Sequence, residues 1–136
     1  MTFTETKDLA YCLAIRRRVF IEEQGVAEAL ELEGDGPACL YYLAGDPAPV
    51  ATLRVTPKDH VAKIERVAVL RTARGTGVGA ALMRHVIHDL AQKGFTEARL
   101  GSQRAAEAFY VKLGFEAFGE EFLDADIPHI MMKRAL

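Results

Sequence analysis

Arg74-Gly75-Thr76-Gly77-Val78-Gly79 is the stretch on which the fold turns. Its glycines alternate between an apolar segment ending near Leu70 and a helical pattern beginning near Gly77. Glycine inside a helix costs roughly 1 kcal/mol relative to alanine. Two of them in a first turn therefore call for a reason. Close approach of the backbone is one: without Cβ atoms, the free N–H groups of the first turn can point at an anion. Arg71 and Arg74 add positive charge beside them. A phosphate or pyrophosphate suits such a loop. A flexible strand-to-helix turn with incidental glycines is the alternative.

Outward from the loop, the period of the apolar residues changes. On the C-terminal side Val78, Leu82, Val86 and Leu90 recur every four residues, joined by Met83 and Ile87. That spacing predicts an amphipathic helix stopping near Gly94. Phe95–Leu100 then reads as a strand, Arg104–Leu113 as a helix closed by Gly114, and Phe115–Phe118 and His129–Met132 as final strands. On the N-terminal side three short apolar segments, Cys39–Ala44, Val50–Thr56 and Val61–Leu70, are separated by Gly45-Asp46-Pro47 and Pro57-Lys58-Asp59. They read as antiparallel strands. Before them come a short strand and a helix from about Asp8 to Glu23, with Leu9, Leu13, Val19 and Phe20 near one face and Gln24-Gly25 as its stop. Ala27 to Pro37 is acidic and reads as a loop. A strand–helix–strand unit across Val61–Leu100 demands one parallel pair in an otherwise antiparallel sheet. The class is α+β, with a mixed, mostly antiparallel sheet flanked by helices.

Composition narrows the function. The chain has 136 residues, enough for one compact domain spanning 1–136. Half its residues are hydrophobic, yet no apolar run approaches the ~20 residues of a membrane span. The N-terminus lacks the basic start and apolar stretch of a secretory signal. A formal charge of −2 gives no electrostatic footprint for nucleic acid. Cys12 and Cys39 read as ordinary thiols of a cytoplasmic protein. His85 and His88 lie on the polar face of their helix, with no carboxylate or cysteine cluster to complete a metal site. No metal is expected.

Other phosphate-binding loops fit less well. A P-loop continues with Gly-Lys-Ser/Thr, where this chain has Gly79-Ala80-Ala81. A dinucleotide fingerprint needs an acidic residue about 20 positions on, at a strand end. Glu97 falls mid-strand instead. A kinase catalytic loop is absent.

The strand–loop–helix around Arg74–Gly79 resembles the Arg/Gln-x-x-Gly-x-Gly/Ala signature of the GNAT acetyltransferase superfamily. Ile64-Glu65-Arg66-Val67-Ala68-Val69 resembles the strand leading into it. Ala108-Phe109-Tyr110-Val111-Lys112-Leu113-Gly114-Phe115 resembles the family's Phe-Tyr-x-Lys-x-Gly-Phe segment. Arg18–Val26 and Ile127-Pro128-His129 further resemble the ElaA/YjcF-like branch. The resemblance implies acetyl-CoA as cosubstrate, held in a cleft where two parallel strands splay apart. It implies backbone contacts from Val67 and Val69 to the pantetheine arm. The loop Arg74, Gly75, Thr76, Gly77, Val78 and Gly79 is implied to bind the pyrophosphate. Gln103 is implied to contact the arm, and Tyr110 to lie near the thioester sulfur.

Amine acetylation sets further demands. A lysine-like amine has a pKa of about 10.4, so about one molecule in a few thousand is neutral at pH 7. A base must take a proton, and an acid must protonate the departing thiolate. Glu65 is the first candidate base. Strand parity puts it on the face of Val67 and Val69, and partial burial raises a carboxyl pKa. A salt bridge with Lys63 or Arg66 is its alternative. Tyr110 is the candidate acid, with core packing beside Phe109 and Phe115 as the alternative. His129 is a second candidate base or an acceptor ligand, or else a structural histidine. Glu23 and Gln24 can line an acceptor pocket or cap a solvated helix end. Glu28, Glu31, Glu33 and Asp35 attract a cationic amine or form a charged surface loop.

The expected activity is acetyl transfer to a primary amine of a small molecule or peptide. A non-catalytic acyl-CoA-binding domain is the runner-up. A nucleotide-binding regulatory module is a third reading, and would prefer ATP or NAD. The acceptor, the acyl chain length and the oligomeric state, a homodimer included, stay open at this level.

Overall fold

A computed structural model describes all residues, 1–136. Its strands are β1 (Thr2–Thr6), β2 (Leu40–Gly45), β3 (Pro49–Lys58), β4 (Val61–Val69), β5 (Glu97–Gln103), β6 (Glu116–Asp124) and β7 (Ile127–Ala135). Its α-helices are α1 (Ala10–Arg16), α2 (Glu28–Glu31), α3 (Val78–Gln92) and α4 (Glu107–Val111). α1 runs on into a π-helical segment, Arg17–Glu23. The seven strands form one sheet in the order β1-β2-β3-β4-β5-β7-β6. Only β4 and β5 pair in parallel. The helix α3 makes the crossover between them, because parallel neighbours cannot be joined by a tight turn. The expected α+β class and mixed sheet are what the chain adopts.

Each face of the sheet is covered by the helix whose stripe matches it. α3 buries Val78, Leu82, Met83, Val86, Ile87 and Leu90 against Tyr42, Ala51, Leu53, Val55, Ala62 and Ile64. α1 and its π-helical extension bury Cys12, Ile15 and Val19 against Tyr41, Leu43 and Ala68 on the other face. No helix is long and apolar enough to cross a membrane.

Two departures from regular pairing shape β4. Its parallel ladder with β5 runs only from Val61↔Glu97 to Ile64↔Leu100, although β4 continues to Val69 and β5 to Gln103. Beyond Ile64 the strands part. On its other edge, Thr52 faces Ala68 while Arg54 faces Glu65, so Arg66 and Val67 together oppose Leu53. This is a β-bulge, with Arg66 at φ 54°. It reverses the side-chain parity expected from sequence. Ala62 and Ile64 share the α3 face with Val67 and Val69, and Glu65 is turned to the α1 face, where it meets Arg54.

The acidic segment is the largest correction. Ala27–Pro37 contains α2, and two of its acids are not surface charges. Arg16 (1% exposed) donates Nε to Glu31 Oε1 at 2.7 Å and Nη2 to Glu31 Oε2 at 2.5 Å. It also donates Nη1 and Nη2 to Asp35, both at 2.9 Å. Arg54 Nη1 reaches Asp35 at 2.8 Å, and the Tyr41 hydroxyl donates to the same oxygen at 2.8 Å. Glu31 is 2% exposed. The segment is thereby pinned to α1 and β3 through charge.

The C-terminal strands are longer than expected. β6 and β7 form a hairpin whose turn holds Ala125 and Asp126 at φ 51° and 62°. Left-handed turns usually advertise themselves with Gly or Asn, and this one does not. β6 is an edge strand, exposed along nearly its whole length. It therefore lacks the alternation by which a half-buried strand is recognised.

Removing one partner of a buried ion pair leaves the other charge uncompensated, at a cost of about 3–5 kcal/mol. Glu31→Ala should lower unfolding free energy by about that amount in urea titrations at neutral pH; a loss below about 1 kcal/mol would deny the pair its structural role. Burial alone would raise the Asp35 pKa, but hydrogen bonds from Arg16, Arg54 and Tyr41 hold it well below the usual carboxylate range. A depressed folded pKa stabilises the fold above the unfolded value of about 3.9, and the contribution drains away as pH falls below it. Wild-type stability should therefore drop from about pH 4 toward pH 2 more steeply than that of Asp35→Asn. Parallel profiles would show that Asp35 does not carry the acid sensitivity.

Candidate active site

The glycine loop begins with a 3-10 turn, Arg71–Ala73. Gly75 and Gly77 then take φ 78° and 85°. These left-handed values suit glycine because they strain other residues by roughly 1–2 kcal/mol. The N–H groups of Gly75, Thr76 and Gly77 bond to no backbone carbonyl. Those of Val78, Gly79 and Ala80 are first-turn donors, which an α-helix leaves unpaired. A Cβ on Gly75 or Gly77 would meet nothing within 4 Å. Space and free donors coincide, as an anion cradle requires. Gly79 serves packing instead. A Cβ there would lie 3.3 Å from Val69 Cγ2 and 3.6 Å from Phe109 Cζ. The absence of a side chain lets α3 close on β4 and α4.

Below the loop, the parting of β4 and β5 opens a cavity of about 450 Å³. Val67, Val69, Arg74, Gln103 and Tyr110 line it, as do Glu23, Gln24, Glu65 and His129. The structure thus gathers the expected arm, acid, base and acceptor residues around one cleft. Gly75 to Gly79 are not part of its lining, although Arg74 just before them is. Glu23 and Gln24 are exposed at the end of the π-helical segment, as a solvated helix end would be, yet both are paired across the cavity mouth. Arg74 Nη2 lies 2.8 Å from Glu23 Oε1, and Arg71 Nη2 lies 3.6 Å from the same oxygen. Gln103 Nε2 donates to Gln24 Oε1 at 3.0 Å, spanning the mouth. Arg74 Nε donates to the Val69 carbonyl at 3.1 Å. The hydrogen bond from Arg74 lowers the Glu23 pKa.

Three residues carry titratable chemistry. Tyr110 is 8% exposed and packs edge-on against Phe109 and Phe115. Burial raises its pKa, so its phenol keeps its proton. Glu65 departs from expectation. Burial alone would raise its pKa, but the Thr56 hydroxyl, Arg54 at 3.3 Å and Lys63 at 3.8 Å bring it below the usual carboxylate range. His129 is 8% exposed, and its ring tilts over Phe122 with centroids 5.7 Å apart. Its Nδ1 lies 2.6 Å from the Ile127 carbonyl oxygen. A carbonyl can only accept, so Nδ1 carries the hydrogen and Nε2 is the free acceptor in the neutral ring.

Sequence reasoning passed over Arg16, Arg54 and Arg66. A charged residue inside the apolar run Ala51–Val55 was the available signal for Arg54, since a buried charge requires a partner. No local signal marked Arg66. His85 stacks on Phe3 at 5.1 Å. No group of three or more His, Cys, Asp or Glu side chains converges as metal ligands would.

A seven-stranded sheet split at one parallel pair, with a glycine loop of unpaired N–H donors leading into the crossover helix, defines an acyltransferase of a known kind. The chain belongs to the GNAT acetyltransferase family, whose domain model matches residues 8–136. It is 36% identical over 134 residues to the N-acetyltransferase YjcF of Bacillus subtilis, covering 96% of this chain and 92% of that one. An acyl-CoA N-acyltransferase from Pseudomonas aeruginosa superposes with a TM-score of 0.85 at 30% identity, covering 98% of this chain and 99% of that one. Escherichia coli ElaA superposes with the same TM-score at 26% identity, covering 98% of each chain. Enzymes of this family take the acetyl group from acetyl-CoA. The cradle and the cleft below it fit a pyrophosphate with its attached arm.

Gly77→Val puts a β-branched side chain at φ 85°, where it must distort the loop. Calorimetry should show acetyl-CoA binding at least about tenfold weaker, with the circular dichroism spectrum retained. Wild-type affinity in the folded variant would remove the cradle from the binding site.

Proposed function

We propose that this chain transfers an acetyl group from acetyl-CoA to a primary amine by direct attack on the thioester. The observation that carries the reading is the meeting of Tyr110 and His129 in one cleft, beneath a loop of unpaired N–H donors. The N–H groups from Gly75 to Ala80, with Arg74 beside them, take the pyrophosphate. Val67 and Val69 offer backbone groups along the edge that β5 leaves uncovered. Gln103, the last residue of β5, stands across the split from them.

His129 is the better of the two candidate bases. Its Nε2 lone pair is free because Nδ1–H is fixed on Ile127. The Glu65 carboxylate is already satisfied by Arg54, Thr56 and Lys63. Each of those contacts makes it a weaker proton acceptor. Glu65 serves instead as fixed negative charge near the incoming ammonium. Tyr110 supplies the proton to the departing thiolate, since its buried phenol stays protonated.

General acid–base groups contribute about 10²–10⁴-fold to rate. His129→Gln and Tyr110→Phe should each lower kcat by about 10²-fold or more in a thiol-release assay, with acetyl-CoA affinity within about threefold of wild type. Glu65→Gln should cost less than about tenfold. A larger loss at Glu65 than at His129 would reverse their roles. Acetyl-CoA binding without turnover of any amine would favour a non-catalytic acyl-CoA-binding domain.

A further inference from the structure

Among the cations lining the cleft, Arg66 is distinct. Arg74 is matched by Glu23 at 2.8 Å, and Lys63 lies 3.8 Å from Glu65. Arg66 is matched more loosely. The nearest carboxylate is Glu31 at 4.0 Å, and both Glu31 oxygens are already held in a fork by Arg16. Arg66 instead donates Nε to the Glu31 carbonyl and Nη2 to the Leu30 carbonyl, each at 3.1 Å. Those neutral acceptors fix the guanidinium in place, and Glu31 and Glu65 offset only part of the unfavourable surroundings of its charge. Nη1 makes no hydrogen bond within the protein. The side chain is 23% exposed, and Arg66 lines the same cavity as His129 and Tyr110.

The position is built rather than incidental. Arg66 occupies the β4 bulge at φ 54°, a conformation that is uncommon for an arginine. Strain of this kind persists where the surroundings enforce it, and it clusters at ligand sites. Burial, together with the like charges of Arg54 and Arg16, works against its protonated form. An incoming anion would relieve that field. A guanidinium edge with free N–H groups suits a planar carboxylate, which can accept two parallel hydrogen bonds. Around it, Phe20, Leu30 and Phe122 give the acceptor end of the cleft an apolar wall.

We infer that the acceptor is a primary amine that also carries a free carboxylate on an apolar body, and that Arg66 is the residue that binds this carboxylate. The inference rests on the acetyl-transfer reading above and names the substrate class of that site. An amino acid or a short amino-terminal fragment with its own carboxylate meets the description. Its amine lies toward His129, and its carboxylate meets the Arg66 fork.

The test uses matched acceptors with acetyl-CoA and wild-type protein: leucine against leucinamide, phenylalanine against phenylalaninamide, and 6-aminohexanoic acid against its amide. Hydrogen bonds to a charged group predict a kcat/KM at least about tenfold higher for the acid of the preferred pair. In Arg66→Gln that acid-to-amide ratio should collapse toward one, and Arg66→Lys should restore part of it. A purely structural arginine would not move the ratio. The wild-type comparison stands even if the variants fold poorly. Equal turnover of acids and amides, or turnover of amides alone, would overturn the carboxylate site while leaving acetyl transfer intact. Acetylation of no member of any pair by acetyl-CoA-saturated protein would overturn the inference together with the reading beneath it.

Discussion

β4 and β5 share only four residue pairs before they part. Everything functional in this protein is arranged around that divergence. A strand edge with unpaired N–H and C=O groups is costly to bury away from hydrogen-bonding partners. A cleft that admits an extended amide-bearing arm can satisfy such an edge with a ligand in place of a neighbouring strand. The crossover helix α3 starts just beyond the split. Its first-turn donors follow directly on Val69 and Arg74, which line the cleft.

The divergence needs support on both faces of the sheet. On one side α3 supplies it through ordinary apolar burial. On the other side the apolar cluster is small, and charge does much of the holding. Arg16 and Arg54 bind Glu31, Asp35 and Glu65, joining α1, the acidic segment and the two central strands. Such networks are weak contributors to net stability compared with apolar packing, but they fix geometry because each donor must meet its acceptor. Here the geometry fixed is the side of the cavity lined by Glu31, Glu65 and Arg66. The same network takes up the carboxylates that might have neutralised Arg66, and it depresses the basicity of Glu65.

The sequence made most of the fold legible. The four-residue spacing from Val78 to Leu90 located α3, and the change of period on either side of the glycine loop required the parallel pair. The loop itself was readable because glycine is the residue that left-handed backbone and close approach select. Local pattern failed where it carries no information. The exposed edge strand β6 has no buried face to write an alternation into its residues. The acids at Glu31 and Asp35 look like a solvated run, because their arginine partners lie at least 15 residues away in the chain.

What the sequence determined by itself was therefore the class of site: a glycine loop between strand and helix, with a tyrosine and a histidine following in a fixed order. Those features are local, and their chemistry is written in residue type and spacing. Tertiary structure decided which side chains face one another. A single extra residue in β4 turned Glu65 away from Val67 and Val69 and left Arg66 lining the cavity. Strand parity has a period of two, so one bulged residue reverses the side chains that precede it relative to those that follow. No spacing rule in the sequence announces where that insertion falls, because the bulge is fixed by pairing with Leu53 on a strand more than ten residues away.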